Sequence, residues 1–380
     1  MMMLDADFHR RRLAHIQAAL ANERLDGLLL LDAHNVTYAS GFWHIPSERP
    51  IGLYIPVSGA PTLFVPLLEQ ENAADSVVSD IRTYFEYPGE THPVVWMRRE
   101  CGAARLGIDH VDHAVFTRLG EGVVMTTLVE RMRWVKQPEE LALIEQAARY
   151  ADDCLEQVRD GAADIIRAGG TELDILRMCL AATSARIRAE VGELFRLGGG
   201  AVVGTVHSGA RAALPHGAPG QRTPQPGEPL IAGIGVSVGG YHAESGATFV
   251  VGEPSAEVMR CLQAARDCGA AAIAALRPGA TCASVNEAAL GVLREAGLGD
   301  AIRHRIGHGM GLQGHESPWL APGDDTLLLP GMVFSNEPGI YRPGRDGYRT
   351  IDTMIVTDGA ARVPSRFLAE NPPERRILNL

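Results

Sequence analysis

The first third of the chain alternates apolar and polar positions in a way that predicts a small domain of mixed helices and strands. Residues 9–25 carry apolar side chains at helical spacing, which predicts an amphipathic helix. Residues 34–38 are expected to form a turn. Short apolar runs bounded by polar residues predict strands at 26–31, 51–56, 62–65 and 104–109. We therefore expect an α/β domain over residues 1–125.

From residue 128 onward, the pattern predicts long helices followed by strands. Pro138, with Glu139 and Glu140 after it, is a favourable helix start, because proline tolerates the first turn and acidic side chains suit the positive end of a helix. This helix is expected to run to about residue 160. Thr171 is the expected N-cap of a second helix over residues 172–186. Strands are expected at 196–203, 229–236 and 247–251.

The same pattern then returns, which indicates an internal duplication. Residues 167–171 resemble residues 277–281, residues 226–230 resemble 330–334, and the pair Gly-Tyr at 240–241 recurs at 347–348. Residues 128–380 are therefore predicted to contain two copies of a helix-helix-hairpin unit. Two such hairpins are expected to share one curved sheet, with a pocket on its inner face to which both copies contribute.

Composition and charge exclude several classes of protein. The 380 residues are 46% hydrophobic and 21% charged, as expected of a globular protein, and the formal net charge is -11. This acidic balance argues against nucleic acid or an anionic membrane as a partner. No apolar run approaches the length that spans a bilayer, and the first residues lack the order of a signal peptide. We expect a cytoplasmic protein that acts on a small molecule.

The number and positions of the lysine and cysteine residues argue against several further kinds of functional site. The only lysine is Lys136, and the Gly-rich stretch 198–200 has none beside it, so a phosphate-binding P-loop is absent. Lys136 precedes a helix start and is expected to be exposed to solvent, which argues against a Schiff-base enzyme. The six cysteines are scattered without a Cys-x-x-Cys pair, so buried free thiols are expected rather than a zinc knuckle or a disulfide framework.

Candidate chemistry concentrates in the last third of the chain. The motifs Gly307-His308-Gly309, His315-Glu316-Ser317-Pro318 and Glu337-Pro338-Gly339, with Pro215-His216-Gly217 and residues 131–140, resemble those of the pita-bread family. That family includes Xaa-Pro aminopeptidase, prolidase, methionine aminopeptidase and creatinase. The resemblance covers nearly the whole chain. It implies an α/β fold in which a creatinase/prolidase-type N-terminal domain precedes a pita-bread catalytic domain over residues 128–380 with a pseudo-twofold repeat.

The resemblance also implies a metal site, but two of its ligands are missing here. The family's peptidases hold two divalent metals with two Asp, one His and two Glu. His308 and Glu337 match ligand positions and Glu244 takes the place of one Asp, whereas Gly233 and Ile351 take the other two places. Two dications need several shared carboxylates, so we expect no dinuclear site. A single metal on Glu244, His308 and Glu337 stays open, but the favoured interpretation is no cofactor at all, as in creatinase.

Without a metal, the resemblance implies a hydrolase of a non-peptide, amide or amidine C–N bond in a small cationic or zwitterionic substrate, similar to creatinase or ectoine hydrolase. His216 is the expected general base, and His308 and His315 would orient the substrate or protonate the leaving nitrogen. Glu244 and Glu337 would face each other, so one of them should have a raised pKa. The candidate substrate-binding residues are Trp43, His44, Arg49, His207, Trp319 and Arg349.

Three alternatives remain open at this stage. The first is an Xaa-Pro aminopeptidase or dipeptidase with a reduced, mononuclear metal site. The second is an enzyme similar to the family's dimethylsulfoniopropionate lyase, and the third is a non-catalytic binding protein with the same fold. The resemblance to creatinase and prolidase further implies a homodimer, in which loop 41–50 of one subunit's N-terminal domain lies near the active site of the partner.

Overall fold

The computed structural model describes residues 4–192 and 202–380. The chain divides into two compact units, the first ending at Arg133 and the second beginning at Trp134. The helix Leu128–Trp134 crosses this division, which the sequence analysis placed slightly earlier, at 125–128. None of the helices in the described ranges is long and apolar enough to cross a membrane.

The first unit is built on a six-stranded sheet with α-helices between its strands. Its strands are β1 (Gly27–Leu30), β2 (Gly52–Pro56), β3 (Thr62–Pro66), β4 (Asp80–Tyr84), β5 (Leu106–Ile108) and β6 (Val123–Met125). They lie in the order β4-β3-β2-β1-β5-β6, with β2 antiparallel to both neighbours and the other pairs parallel. Its helices are α1 (Ala6–Asn22), α2 (Ala33–Ser40), α3 (Gln70–Ala73), α4 (Pro93–Cys101), α5 (His113–Phe116) and the boundary helix α6 (Leu128–Trp134).

The turn expected at residues 34–38 is wrong, because this segment is helix α2. Asp32 is the N-cap, and its carboxylate accepts hydrogen bonds from the backbone N–H groups of His34 and Asn35 at 3.0 Å. Gly41 ends the helix with a positive φ of 73°, a conformation that glycine adopts without steric cost. An Asp before the segment and a Gly after it are ordinary helix boundary signals, and these outweighed the turn-forming tendency of His34 and Asn35.

The second unit follows the predicted helix-helix-strand order twice. Its helices are α7 (Pro138–Arg167), α8 (Glu172–Val191), α9 (Ala256–Ala275), α10 (Cys282–Glu295) and α11 (Phe367–Glu370). Its strands are β7 (Val202–Ser208), β8 (Pro229–Val238), β9 (Tyr241–Val251), β10 (Gly307–Gly309), β11 (Glu316–Leu320), β12 (Val333–Asn336), β13 (Gly339–Arg342), β14 (Asp346–Arg349), β15 (Asp352–Ile355) and β16 (Ile377–Leu378). Of the strand expected at 196–203, residues 196–201 lie outside the described residues.

Threonine caps mark equivalent helix starts in the two copies. Thr171 accepts a hydrogen bond from the N–H of Asp174, as predicted, and Thr281 accepts one from the N–H of Ser284. Each cap therefore satisfies an otherwise unpaired donor in the first turn of α8 or α10. A large apolar core fills the space between α9, α10 and the second set of strands.

The strands form two four-stranded sheets that meet at the middle of the unit. One has the order β16-β9-β8-β7 and the other β11-β10-β12-β15, and β13 and β14 form a separate hairpin. Gly246 of β9 and Ile351, just before β15, exchange two backbone hydrogen bonds of 2.9 Å that join the sheets. The single curved sheet expected from the internal repeat is therefore wrong: the described strands form two sheets, which this isolated bridge joins.

The expectation that Lys136 is exposed to solvent is wrong. Its side chain is only 2% exposed, and Nζ donates to Oε1 of Glu316, itself 3% exposed, at 2.8 Å. A buried ammonium needs such a partner, because desolvation strongly penalises an unpaired charge. The pair connects the segment before α7 to the start of β11, next to His315.

Candidate active site

Strands from both copies bring three predicted residues to one point. Glu244 lies in β9, His308 in β10, and Glu337 directly follows β12. Nε2 of His308 is 2.9 Å from Oε1 of Glu337 and 3.8 Å from Oε2 of Glu244. The hydroxyl of Ser335 is 2.8 Å from Oε1 of Glu337 and 3.2 Å from Oε2 of Glu244. The two carboxylates therefore face each other across one hydroxyl group.

His308 is oriented so that one ring nitrogen remains available as a ligand. Its Nδ1 is 3.0 Å from the carbonyl oxygen of Gly309, which can only accept, so Nδ1 carries the proton in the neutral ring. Among the described residues, the buried Nε2 atom has no aligned hydrogen-bond partner, although the carboxylate of Glu337 is close. A lone pair directed at two carboxylates is repelled unless a cation lies between them. This arrangement fits a divalent metal ion, with the Gly309 carbonyl fixing the ligand ring.

His315 joins the same cluster. Its ring stacks on that of His308, with centroids 3.7 Å apart and planes inclined by 21°. One ligand atom from each of Glu244, His308 and His315 can be chosen so that all lie within 4.8 Å of one another. Imidazole and carboxylate donors suit zinc, manganese, iron or cobalt, so these residues with Glu337 fit one such ion.

The surroundings of Gly233 do not fit a second ion. Gly233 of β8 lies opposite Gly246 of β9, and Ile351 packs against this pair. A Cβ atom added at Gly233 would lie 2.7 Å from Nη2 of Arg349 and 3.4 Å from Cδ1 of Ile351. A guanidinium and an aliphatic side chain thus fill the space where further carboxylate ligands would be needed. We therefore derive no step from a dinuclear centre.

Burial and mutual repulsion separate the proton affinities of the two carboxylates. Burial, followed by the charge of Glu337, raises the pKa of Glu244 to about 7. Burial also opposes ionisation of Glu337, but the His308 ring, whose Nε2 lies 2.9 Å from its Oε1, lowers its pKa. The pKa of His308 is raised despite burial, chiefly through Glu337. The raised pKa that the sequence predicts for one of the two carboxylates is found at Glu244, so this cluster retains a proton near neutral pH.

His315 has the opposite tendency. Burial, and then the nearby charge of His308, lower its pKa to about 4. Its imidazole is therefore neutral at physiological pH and can accept a proton or bind a metal ion.

A cavity of about 390 Å³ opens beside the cluster and collects much of the predicted site. Its lining is rich in basic and imidazole groups: Pro215, His216, Arg303, His304, Arg305, Gly307, His308, His315, Glu337 and Arg349. His216, the expected general base, is an exposed lining residue. The side chain of Arg349 is mostly buried. Its Nη1 donates to the carbonyl of Pro215 at 3.3 Å, and its Nε has no hydrogen-bond partner among the described residues.

Several predicted substrate-binding residues lie elsewhere. His207 is buried outside the cavity lining, and its Nε2 hydrogen-bonds the carbonyl of Gly217, so this placement gives it a supporting role in the loop that carries His216. Trp319 stacks beneath the guanidinium of Arg305, with 4.5 Å between the Arg305 Cζ and the ring centroid, and lines a neighbouring pocket.

The remaining predicted residues belong to the first unit. There Arg49 forms ion pairs with Glu48 and Glu86. The His44 ring stacks on the ring of Phe42, and Trp43 is the residue between these two in the sequence. Their expected role at a partner's active site stays a prediction.

Ser335 and the basic segment Arg303-His304-Arg305 were not among the site residues predicted from the sequence. The signal for the latter was present, since three basic or imidazole residues directly precede the motif around His308. His304 is held by a contact of 2.9 Å between its Nε2 and the hydroxyl of Tyr341.

Comparison with known protein families shows the family to which the chain belongs. Residues 142–358 match metallopeptidase family M24, and residues 12–135 match the creatinase/prolidase N-terminal domain. The chain belongs to metallopeptidase family M24. The predicted architecture, a creatinase/prolidase-type domain followed by a pita-bread M24 domain, is thereby confirmed. Membership places the chain among hydrolases of C–N bonds.

The chain is similar to M24 proteins along nearly its whole length. It is 33% identical over 370 residues to the "Probable dipeptidase PepE" of Mycobacterium tuberculosis, covering 94% of this chain and 95% of that relative. The crystal structure of dipeptidase PepE from Mycobacterium ulcerans has a TM-score of 0.85 and 31% identity, with 100% of both chains covered. Prolidase from Thermococcus sibiricus has a TM-score of 0.81 and 26% identity, with 94% of this chain and 96% of that one covered. These names support the dipeptidase alternative and give no support to the favoured creatinase-like interpretation.

Proposed function

We propose that this M24 protein is a dipeptidase that holds one divalent metal ion with Glu244, His308 and Glu337. The observation that carries the proposal is the buried Nε2 of His308, which faces both carboxylates without an aligned hydrogen bond. The similarity to dipeptidase PepE supports a peptide as the substrate. The proposal adopts the alternative that the sequence analysis had ranked second.

The residues of the chain divide the remaining tasks between them. A divalent ion at this point would lower the pKa of a water molecule and polarise the scissile carbonyl. His315, neutral and beside the cavity, is placed to take up a proton from an attacking water molecule and to return it to the leaving amine. His216 is the second candidate for this proton transfer, because it lines the same cavity. The hydroxyl of Ser335 keeps the carboxylates of Glu244 and Glu337 in their facing geometry.

The charge of the cavity favours a short peptide with a free carboxylate. Arg349, Arg303 and Arg305 line it, and Glu337 is the only carboxylate in its described lining. Arg349 approaches the site from the Gly233 side, and its unpartnered Nε gives it a free donor for an anionic group. We assign Arg349 the binding of the substrate's C-terminal carboxylate. The 390 Å³ volume suits a ligand of dipeptide size.

The experiment that tests the proposal is hydrolysis of a dipeptide panel, including Xaa-Pro dipeptides, before and after removal of metal by a chelator. We expect activity to disappear with the chelator and to return with added zinc, manganese or cobalt. His308→Ala and Glu337→Gln should each lower kcat/KM about a hundredfold, because the first removes a ligand and the second removes the negative charge of another. The exposed residues His15 and Glu295 provide matched controls, His15→Ala and Glu295→Gln, which should leave activity unchanged.

A second candidate, the creatinase-like hydrolase without a metal, is favoured by one specific observation. Gly233 and Ile351 provide no carboxylate, and the guanidinium of Arg349 lies beside them as a fixed positive charge. The two candidates predict opposite results in the same experiment. Hydrolysis of a guanidine or cyclic amidine that persists in the chelator, with no hydrolysis of dipeptides, would replace the dipeptidase proposal with this one.

The proposal includes a cytoplasmic location and a homodimer. The six cysteines are buried free thiols, a state that suits a reducing compartment. In the homodimer, the segment of Trp43, His44 and Arg49 would approach the partner's active site. Sedimentation analysis tests the dimer, and Trp43→Ala tests the approach, because it should then raise KM without altering the metal content.

A further inference from the structure

A second cavity, of about 250 Å³, lies in the M24 domain away from the candidate active site. Helix α9 lines one side of it, and the segment from Thr350 to Asp352 together with α11 and Arg376 lines the other. It shares no lining residue with the active-site cavity in the described ranges. The two cavities are therefore lined by different side chains.

Arg376 brings an incompletely balanced positive charge to this cavity. Its side chain is only 2% exposed, Nη1 donates to the carbonyl of Thr248 at 3.2 Å, and Nε has no hydrogen-bond partner in the part of the chain that the structure describes. Burial lowers the pKa of Arg376 to about 10, against the opposing charges of Glu374 and Asp352. A buried guanidinium with a free donor is a strong site for an anionic group.

Asp352 brings a buried acceptor to the same cavity. One of its oxygens accepts a hydrogen bond of 3.0 Å from Ser365, and its residue is 9% exposed. Asn336 lies directly opposite Asp352 in the register of β12 and β15, so the two side chains are on the same face of the sheet. The Oδ1 atom of Asn336 is buried without a hydrogen-bond partner among the described residues. Asn336 is not part of the cavity lining, so Asp352 is the acceptor that faces the cavity.

Asp352 and Arg376 do not pair with each other, and Arg266 and Arg366 add further positive charge to the lining. Within the described residues, no ion pair joins Arg376 to Asp352, although both line one small cavity. Arg376 precedes strand β16 and Asp352 begins strand β15, so the sheet framework fixes their separation. Ile273, Val363 and Leu368 provide aliphatic walls around them.

We propose that this cavity binds a small aliphatic α-amino acid. The carboxylate of the ligand pairs with Arg376, its ammonium group is bound by Asp352, and its side chain packs against Ile273, Val363 and Leu368. A free amino acid carries the three complementary groups in one small molecule, whereas a simple anion or amine satisfies only one pole of the cavity. The site is independent of the proposed peptidase reaction, since it requires neither the metal nor turnover.

Calorimetric titration of the full-length protein tests this site with L-valine and L-leucine as probes. Isovalerate and isoamylamine are the matched comparisons, because each lacks one of the two charged groups. We expect one equivalent of amino acid to bind at least about tenfold more tightly than either analogue, since isovalerate leaves Asp352 and isoamylamine leaves Arg376 without a partner. Binding should persist in His308→Ala, which disables the candidate active site.

Two variants locate the binding. Asp352→Asn should weaken L-valine binding at least about tenfold with little effect on isovalerate. Ala270→Trp should abolish binding, because Ala270 lines the cavity from an exposed position on α9 where a large side chain can fill the space without disturbing the core. Glu295→Gln, on α10, is the control that should bind normally.

Three results would overturn the proposal. Isovalerate that binds as tightly as L-valine would leave only an anion site. Binding that is lost in His308→Ala but retained in Ala270→Trp would place the amino acid in the active site. A folded wild-type protein that binds none of the probes would exclude the site altogether. Dipeptidase activity is measured separately, so failure here leaves the proposed function intact.

Discussion

The Nε2 atom of His308 lies 2.9 Å from Oε1 of Glu337, yet the two groups are not aligned for a hydrogen bond. The carbonyl of Gly309 holds the proton of the neutral ring on the opposite nitrogen. The pair therefore needs a cation, either a proton or a metal ion. Because the proton and the metal compete for the same lone pair, loading the protein with a divalent ion should release protons. Titration of the metal into weakly buffered protein should show this release, and its absence in His308→Ala is the control.

Arg349→Met should raise KM for dipeptides selectively. The guanidinium lies beside the cluster with a free Nε, and loss of a charge-assisted hydrogen bond costs about 1.5–3 kcal/mol, roughly a tenfold to hundredfold change in KM. C-terminally amidated dipeptides are the matched control, since they lack the carboxylate. An equal loss for both substrates would show that Arg349 does not bind the C-terminal carboxylate.

Breaking the ion pair between Lys136 and Glu316 should strongly destabilise the M24 domain. Both side chains are almost fully buried, so Lys136→Met removes the ammonium partner of the buried Glu316 carboxylate and should cost about 3–5 kcal/mol of unfolding free energy. The double variant Lys136→Met/Glu316→Leu should cost less, because no buried charge remains. Denaturant unfolding measures both.

The exposed pair Asp7 and Arg10 is the control for that experiment. Its side chains are 72% and 63% exposed, so Arg10→Met should change stability by less than about 0.5 kcal/mol. Equal costs for the buried and exposed pairs would contradict the account of Lys136.

Gly246→Ala should destabilise the bridge between the two sheets. A Cβ at Gly246 would lie 2.6 Å from Cγ1 of Ile351, and such overpacking costs about 1–3 kcal/mol. Adding Ile351→Ala should recover part of this loss. Gly291→Ala on α10, where a Cβ meets no atom within 4 Å, should instead be neutral or stabilise by about 0.5–1 kcal/mol. If both glycine variants behave alike in denaturant unfolding, the packing of Ile351 against β9 is wrong.

Two buried carboxyl groups, Asp352 and Asp152, should each make the unfolding free energy fall as pH rises from about 4 to about 7. Burial raises the pKa of Asp352 to about 7 and that of Asp152 to about 6. The native state then holds more protons than the unfolded state across this range, so the unfolding free energy decreases with rising pH. Asp352→Asn should flatten the decline, whereas Asp358→Asn, at an exposed position, should not. An unchanged slope in Asp352→Asn would contradict the prediction.

Local signals made much of the fold predictable. Thr171 as an N-cap, Pro138 at the start of α7 and the return of the pattern after residue 277 each depend on neighbouring residues, so the sequence alone indicated them. The motifs around His308, His315 and Glu337 likewise indicated the cluster that the fold brings together.

Features that depend on distant contacts were not predictable in the same way. Lys136 is buried because Glu316, far along the chain, provides its partner. Similarly, Arg349 occupies the space beside Gly233 only because the two hairpins meet at Gly246 and Ile351. The sequence shows that Gly233 provides no carboxylate. It does not show that the guanidinium of Arg349 fills the space beside this glycine.

The most direct test of the central claim is the metal content per chain of the purified, metal-replete protein, measured by mass spectrometry with dipeptidase activity on the same sample. We predict one tightly bound divalent ion per chain in the active wild type, and none in His308→Ala or Glu337→Gln. Full activity with no bound metal would contradict the account, and so would two ions per chain, because Gly233 and Ile351 leave no ligands for the second.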